Sequence, residues 1–137
     1  MKCIIVTPEK TVLDTETAFT VLPLIDGEYG IMPHHAPLVA RLGAGELRIT
    51  DSGGSVTNYY VEGGFAEVIG DTINLLTMHA LPASELDVAR AEEQLEKALA
   101  RPGDTPELAK IRQEKIYSRR ARLRVAHRVA DAAAKGR

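Results

Sequence analysis

Hydrophobic residues up to Leu81 occur in short runs that turn residues separate. The run CIIVT, residues 3–7, is apolar and β-branched and ends before Pro8, while ELRIT and SVTNYYV flank the sequence DSGG at residues 51–54. Glycine in a short polar segment between two such runs is typical of a β-hairpin. Further turns are predicted at Asp26-Gly27, Gly63-Gly64 and Gly70-Asp71. About eight to ten short strands with these turns predict an all-β sandwich or barrel.

The spacing of apolar residues becomes helical after Pro82. Apolar residues then recur three and four positions apart, at Val88, Ala91, Leu95, Ala98 and Leu99. This spacing places them on one face of a helix. Ser84 followed three residues later by Asp87 resembles a capping box, which predicts the helix start, and the sequence RPGD at residues 101–104 predicts its end.

A second helix is predicted to begin at Thr105 and Pro106, because the threonine can cap it and proline fits the first helical position. It can run to near Ala134, and so short a connection predicts an antiparallel hairpin. Its apolar stripe is thin and made mostly of small residues, namely Ala109, Ile116, Leu123, Ala126 and Ala130. Small contacts bury little area, so we expect the hairpin to dock loosely and to exchange between positions.

The predicted fold class is therefore β + α. An N-terminal β-sandwich of about ten strands occupies residues 1–83, and a C-terminal antiparallel α-helical hairpin occupies residues 84–137. Charge supports this division, because residues 1–83 hold ten acidic and four basic residues, whereas residues 84–137 hold nine acidic and thirteen basic ones. Two parts of opposite sign indicate two structural units that can have different partners.

Composition excludes several classes of protein. Hydrophobic residues make up 45% of the chain and charged residues 26%, which is typical of a soluble globular protein. No apolar run approaches the roughly 20 residues of a membrane span, and the N-terminus does not resemble a signal peptide. The single cysteine, Cys3, excludes an intramolecular disulfide and is expected to be buried in a strand.

The adjacent histidines His34 and His35 are the first candidate for chemistry. Neighbouring residues in an extended chain point to opposite sides, so the pair cannot easily hold one metal ion, and no Cys/His spacing supplies further ligands. The stretch is better interpreted as a turn. No nucleophile elbow, P-loop or dinucleotide fingerprint occurs, so we predict neither catalytic residues nor a metal site.

The second helix carries eight Lys or Arg residues from Lys110 to Arg128, against one acidic residue, Glu114. This density fits a solvated face, a nucleic-acid site, or contact with an acidic protein surface or a phosphate. Few aromatic residues and an acidic N-terminal part argue against nucleic acid. Arg120 and Arg124 lie one turn apart and can form a two-armed phosphate clamp, and Asp87 and Arg90 lie on the first helix.

Four segments narrow the interpretation to one family. VTPE, DGEYGIMPHHAPLVARLGAGELRI, VEGGFAEVIGDTINLLT and LDVARAEEQLEKA occur in this order and cover nearly the whole chain. Their order resembles the epsilon subunit of the bacterial F-type ATP synthase. The pattern E-x-G-I-x-P-x-H-x-P falls on Glu28, Gly30, Ile31, Pro33, His35 and Pro37, and G-G-F-x-E-V falls on Gly63, Gly64, Phe65, Glu67 and Val68.

The resemblance implies a subunit without catalytic activity in the rotor of a proton- or sodium-translocating ATP synthase. Such a subunit joins the gamma subunit to the c-ring through its sandwich, with Glu28 and His35 near the c-ring. Its helical hairpin is regulatory and restrains ATP hydrolysis by contacting the catalytic alpha/beta head when extended. The expected location is peripheral, at the cytoplasmic face of the bacterial inner membrane, with neither membrane insertion nor nucleic-acid binding.

The resemblance also implies ATP as a regulatory ligand, with no other cofactor. Nucleotide-sensing members carry I/L-D-x-x-R-A, found here as Leu86, Asp87, Arg90 and Ala91, with two arginines that match Arg120 and Arg124. LDVARA is equally well explained as a simple helix start.

The chain departs from the family pattern at two positions. His34 stands where glycine is common, and Leu81 stands where nucleotide-sensing members have a glutamate. The alternative function is a free-standing binding module whose basic helix engages nucleic acid or an acidic protein.

Overall fold

The computed structural model describes residues 1–135, which form two compact units. The first unit spans Met1–Pro82 and the second begins at Ala83. Within residues 1–135 no helix has the length and hydropathy needed to cross a membrane.

The first unit consists of ten strands in two five-stranded sheets, which confirms the predicted sandwich. The strands are β1 (Lys2–Val6), β2 (Thr11–Glu16), β3 (Phe19–Leu24), β4 (Gly27–Ile31), β5 (Leu38–Arg41), β6 (Ala44–Thr50), β7 (Val56–Glu62), β8 (Phe65–Ile69), β9 (Thr72–Leu76) and β10 (His79–Pro82). The first sheet has the order β2-β1-β9-β8-β5 and the second β10-β7-β6-β3-β4. Strands β1 and β9 run parallel, and the other paired strands are antiparallel.

The hairpins lie where the turn residues predict them. Between β6 and β7, one Asp51 carboxylate oxygen accepts hydrogen bonds of 2.9 Å from the backbone N–H groups of Gly53 and Ser55. An aspartate that binds its own turn in this way mimics a backbone turn and fixes the hairpin. Asp26-Gly27 and Gly70-Asp71 likewise join β3 to β4 and β8 to β9.

The hydrophobic core of the first unit consists of aliphatic side chains that alternate along the strands. Its buried members are Cys3, Ile5, Leu22, Ile31, Leu42, Leu47, Ile49, Val61, Ala66, Val68, Ile73 and Leu75. The prediction that Cys3 is buried is confirmed, and its burial raises the pKa of the thiol to about 12. The thiol is therefore protonated and unreactive at neutral pH.

The second unit contains a short 3₁₀ helix (Ala83–Glu85) followed by α1 (Val88–Leu99) and α2 (Pro106–Lys135). The prediction that Ser84 opens the capping of α1 is wrong, because Ser84 lies within the 3₁₀ helix. Asp87 is the capping residue instead, and its carboxylate accepts from the N–H of Ala89 at 3.3 Å. Thr105 caps α2 as predicted, with its hydroxyl accepting from the N–H of Leu108 at 3.1 Å.

Helices α1 and α2 pack against each other as a hairpin. Their buried residues are small, with the exception of one valine: Ala91, Ala98, Ser118, Ala121, Val125 and Ala126. The stripe predicted for α2 is partly wrong, because Ala130 is exposed and Ile116 is only half-buried. The fully buried side chains of the hairpin are thus alanines, one serine and one valine, while the larger Ile116 and Leu123 are only half-buried.

Candidate functional site

The segment around His34 and His35 is an exposed turn between β4 and β5, as predicted. The Tyr29 hydroxyl lies 2.9 Å from Nε2 of His35, and Nδ1 of His35 lies 2.6 Å from the carbonyl oxygen of Ala36. A carbonyl oxygen only accepts hydrogen bonds, so Nδ1 carries a proton. In the neutral ring Nε2 then accepts from Tyr29. Both ring nitrogens are engaged, and the two rings meet edge to face at a centroid distance of 5.5 Å.

His34 adopts the left-handed backbone conformation, with φ of 69°. This conformation costs a non-glycine residue roughly 1–2 kcal/mol. The position at which the family pattern has glycine therefore does require positive φ, and the histidine is strained there. Within residues 1–135 no three His, Cys, Asp or Glu side chains lie close enough to form a metal site.

Glu28 is held by an arginine that sequence reasoning missed. Arg48 donates to Glu28 through Nη2 and to Glu46 through Nη1, the second at 3.4 Å. The hydrogen bond with Glu28 is the main cause that raises the pKa of Arg48, and desolvation opposes it. Strand register explains the contact: Val21 of β3 pairs with Arg48 on one side and with Gly30 on the other, so Arg48 and Glu28 lie on the same face of the sheet. Glu28 itself remains half exposed.

An apolar patch on the outer face of the first sheet was also missed by sequence reasoning. Its members are Val6, Pro8, Phe65, Leu76 and Met78, which line a groove of about 510 Å³ together with Thr7, Gly64 and Thr77. Register aligns Val6, Leu76 and Phe65 in one row across β1, β9 and β8. The side chains of Phe65, Leu76 and Met78 are 53%, 55% and 62% exposed. Contiguous exposed apolar surface of this kind marks interaction sites.

The residues predicted to bind nucleotide all lie in the second unit. Asp87 caps α1, so LDVARA does form a helix start, with Leu86 half-buried and Ala91 buried. The side chains of Arg90, Arg120 and Arg124 are exposed, the last two one turn apart on α2. Nucleotide binding by this set stays a prediction.

Comparison with known proteins gives one consistent family. Residues 1–83 match the family described as "ATP synthase, Delta/Epsilon chain, beta-sandwich domain". The chain is 43% identical over 124 residues to the ATP synthase epsilon chain of Rhodopirellula baltica, covering 90% of this chain and 96% of the relative. It is 38% identical over 94 residues to the sodium-ion-specific epsilon chain of Propionigenium modestum, covering 69% of this chain and 68% of the relative.

Solved structures share the fold. One structure is of OSCP, F1 and the c-ring of the Euglena gracilis mitochondrial ATP synthase. A chain in it superposes with a TM-score of 0.79 at 24% identity, covering 90% of this chain and 79% of its own. The second structure is of the central stalk and c-ring of the Tetrahymena thermophila mitochondrial ATP synthase. One of its chains superposes with a TM-score of 0.71 at 18% identity, covering 92% of this chain and 96% of its own.

Proposed function

Because the chain belongs to the delta/epsilon family of ATP synthase subunits and is an epsilon chain, we propose that it serves as a non-catalytic rotor subunit of an F-type ATP synthase. In this role it links the gamma subunit to the c-ring and restrains ATP hydrolysis through its helical hairpin. It is peripheral, at the cytoplasmic face of a bacterial inner membrane, and the ion translocated by the complex is a proton or sodium.

The apolar patch is the observation that carries this proposal. Five apolar residues meet around one groove on a sheet face that has no covering strand, in a unit whose core is already complete. Removing exposed apolar side chains from water contributes about 25 cal/mol per Å² to the free energy of binding. A partner that covers this face therefore forms a more stable complex. We assign the gamma subunit to it.

Co-purification tests this assignment. Leu76→Asp introduces a charge into the patch, whereas Val56→Asp introduces the same charge at a position that is 56% exposed, against 55% for Leu76, and lies outside the patch. We expect the Leu76 variant to lose the gamma-type stalk subunit in a pull-down and the Val56 variant to retain it. Equal retention by both variants contradicts the assignment. Salt-dependent nucleic-acid binding by the isolated chain would favour the alternative binding module.

The turn between β4 and β5 is the proposed c-ring contact. Glu28 and His35 are each fixed by a neighbour, Arg48 and Tyr29, which presents both groups in one defined orientation. His35→Ala is expected to weaken coupling between hydrolysis and ion pumping in the assembled enzyme. Tyr29→Phe keeps the ring and removes only the hydrogen bond, so its smaller effect measures the role of orientation. Unchanged coupling in both variants, or stoichiometric zinc in the purified chain, argues against this role.

The basic helix α2 is the proposed brake. We expect its arginines to contact acidic surface of the catalytic alpha/beta head when the hairpin is extended. A chain that ends at residue 85 is expected to fold, because the core of the first unit and the side chains packed against it lie within residues 1–80. In the assembled enzyme it should raise ATP hydrolysis, and unchanged hydrolysis where the intact enzyme is restrained would remove the inhibitory role.

ATP is the proposed regulatory ligand of the hairpin, and calorimetric titration tests it. Asp87, Arg90, Arg120 and Arg124 can surround a triphosphate, with charge-assisted hydrogen bonds from the arginines. Leu81 stands in place of the expected glutamate, so we expect only weak binding. Micromolar binding that is lost in Arg120→Ala would show that Leu81 does not impair the site.

A further inference from the structure

Strand β4, which presents Glu28 and leads into the turn with His35, has few interactions of its own to hold it. It lies at the edge of the second sheet and pairs with β3 alone. Two of its five residues are glycine, which weakens a strand because it has no side chain to pack. Ile31 belongs to the core, so alternation places Glu28 and Gly30 on the outer face. Glu28 is therefore the only side chain of β4 on that face.

Glu46 is a buried carboxylate on the same face of the sheet. It lies two residues before Arg48 in β6, so both side chains point outward. Its side chain is only 3% exposed, and it stands opposite Tyr60 of β7, which is fully buried. Burying a carboxylate costs stability, and a packed apolar side chain often serves a fold at least as well. The carboxylate is therefore better explained by its contact with Arg48 than by packing.

Arg48 joins the two carboxylates across β3. Its Nη1 donates to Glu46 at 3.4 Å and its Nη2 donates to Glu28, so both ends of one planar guanidinium are engaged. Neutralising Glu46 needs only one of these contacts, which a lysine could make. The second contact reaches past Val21 from the middle of the sheet to its edge strand. The three side chains thus form a network that runs from a buried end at Glu46 to a half-exposed end at Glu28.

We propose that Glu46 and Arg48 are positioning residues for the c-ring contact. The buried carboxylate of Glu46 fixes the guanidinium of Arg48, which in turn fixes Glu28 and the edge strand that leads into the turn with His35. A partner that presses on this turn then meets a strand tied to the middle of the sheet. Both roles rest on the c-ring contact proposed above, and neither side chain has to touch the c-ring itself.

Hydrogen exchange of the isolated full chain tests the link between the network and β4. The double variant Glu46→Gln/Arg48→Met removes the network without leaving a buried charge unpaired. We expect exchange over residues 27–31 to become about threefold faster or more, an increase that the exposure of Glu28 limits. Residues 72–76 of β9, in the other sheet, should keep their exchange rate.

Two further variants separate this link from general effects of charge. Arg48→Lys should cause a smaller increase over residues 27–31, because a single ammonium group does not reproduce the two-sided contact of a guanidinium. Lys2→Met is the matched control, since it removes a 3.7 Å ion pair with Asp14 between two strands of the first sheet. It should leave the exchange of residues 27–31 unchanged.

The assembled enzyme tests the link between the network and function. The double variant should lower the coupling between hydrolysis and ion pumping about as far as His35→Ala does. It should still retain the gamma-type stalk subunit in a pull-down, because the apolar patch lies on the other sheet. A variant that is merely unstable would lose both coupling and the gamma-type subunit.

Three results would overturn the proposal. Exchange over residues 27–31 that is unchanged, or that rises no more than exchange over β9, shows that the network does not hold β4. Faster local exchange with full coupling, where His35→Ala is impaired, shows a c-ring contact that does not depend on Arg48. Faster local exchange with full coupling in both variants removes the c-ring contact itself, and the exchange data distinguish this failure from the first.

Discussion

Gly64 lies at the edge of the apolar patch and has no room for a side chain. Its φ is +101°, and a Cβ built there would stand 1.8 Å from the carbonyl oxygen of Leu76 and 2.9 Å from Cα of Thr77. Non-bonded carbon atoms prefer about 3.5–4.0 Å, so in Gly64→Ala the backbone of β9 has to move by about 1.5 Å or more. This movement disturbs the pairing of Phe65 with Leu76 and the 2.9 Å hydrogen bond from Leu42 to the carbonyl of Gly64.

The cost of Gly64→Ala follows from these terms. Two disturbed hydrogen bonds at about 0.5–1.5 kcal/mol each, and the left-handed conformation at about 1–2 kcal/mol, give about 2–5 kcal/mol of lost stability. Gly54→Ala is the matched control, because its φ is +87° and a Cβ there meets nothing within 4 Å. Only the conformational cost of about 1–2 kcal/mol applies to it.

Urea unfolding followed by circular dichroism measures both variants, and hydrogen exchange of the Leu42 amide reports the local change. We expect a larger increase in the exchange rate of this amide in Gly64→Ala than in Gly54→Ala, because only the first substitution also disturbs its hydrogen bond. If the two variants lose equal stability, the backbone contact does not govern Gly64 and the reasoning fails.

Three further predictions concern the thiol, the strained turn and a helix cap. Burial raises the pKa of Cys3 from 9.0 to about 12, so the folded chain binds more protons than the unfolded chain between these values. The contribution of Cys3 to stability should therefore be intact below pH 9 and fall by about 1.4 kcal/mol per pH unit between pH 9 and about 12. Urea unfolding should show a slope that is smaller by this amount in Cys3→Val. His34→Gly should raise the free energy of unfolding by at most about 1 kcal/mol. The substitution relieves the strain of positive φ, but glycine also increases the entropy of the unfolded chain and so offsets part of the gain. A loss of stability in urea would contradict this prediction. Thr105→Ala should cost about 1 kcal/mol and reduce helicity at 222 nm, while Thr105→Ser should not.

Local sequence signals predicted the elements that local interactions determine. The hairpin at residues 51–54 depends on Asp51 and its own turn, and the start of α2 depends on Thr105 and Pro106, so neighbouring residues carry enough information. The cap of α1 was assigned to Ser84 because a serine three residues before an aspartate fits the capping pattern. The intervening 3₁₀ turn moves the helix start to Asp87, and the pattern alone does not reveal that turn.

Features that depend on strand register were not accessible from the sequence. Glu28 and Arg48 are 20 residues apart and meet across β3, and Val6 meets Phe65 and Leu76 only because β1 pairs with β9. The resemblance identified Glu28 and His35, but not the partners that orient them. The buried face of α2 was predicted only in part, because its apolar residues are few and mostly alanines and give weak helical periodicity.

The parallel pairing of β1 with β9 has a consequence for the order of events during synthesis. Lys2 pairs with Thr72, and β1 lies inside its sheet between β2 and β9. The first sheet therefore cannot close until translation has passed Leu76, and pairing between such distant segments is slow compared with the closing of a hairpin. The last strand of the sandwich, β10, ends at Pro82, and at about 5–20 residues per second the 53 residues from there to the end of α2 at Lys135 take roughly 3–11 s to make. The sandwich has that interval to fold on the ribosome before the basic helix α2 is complete.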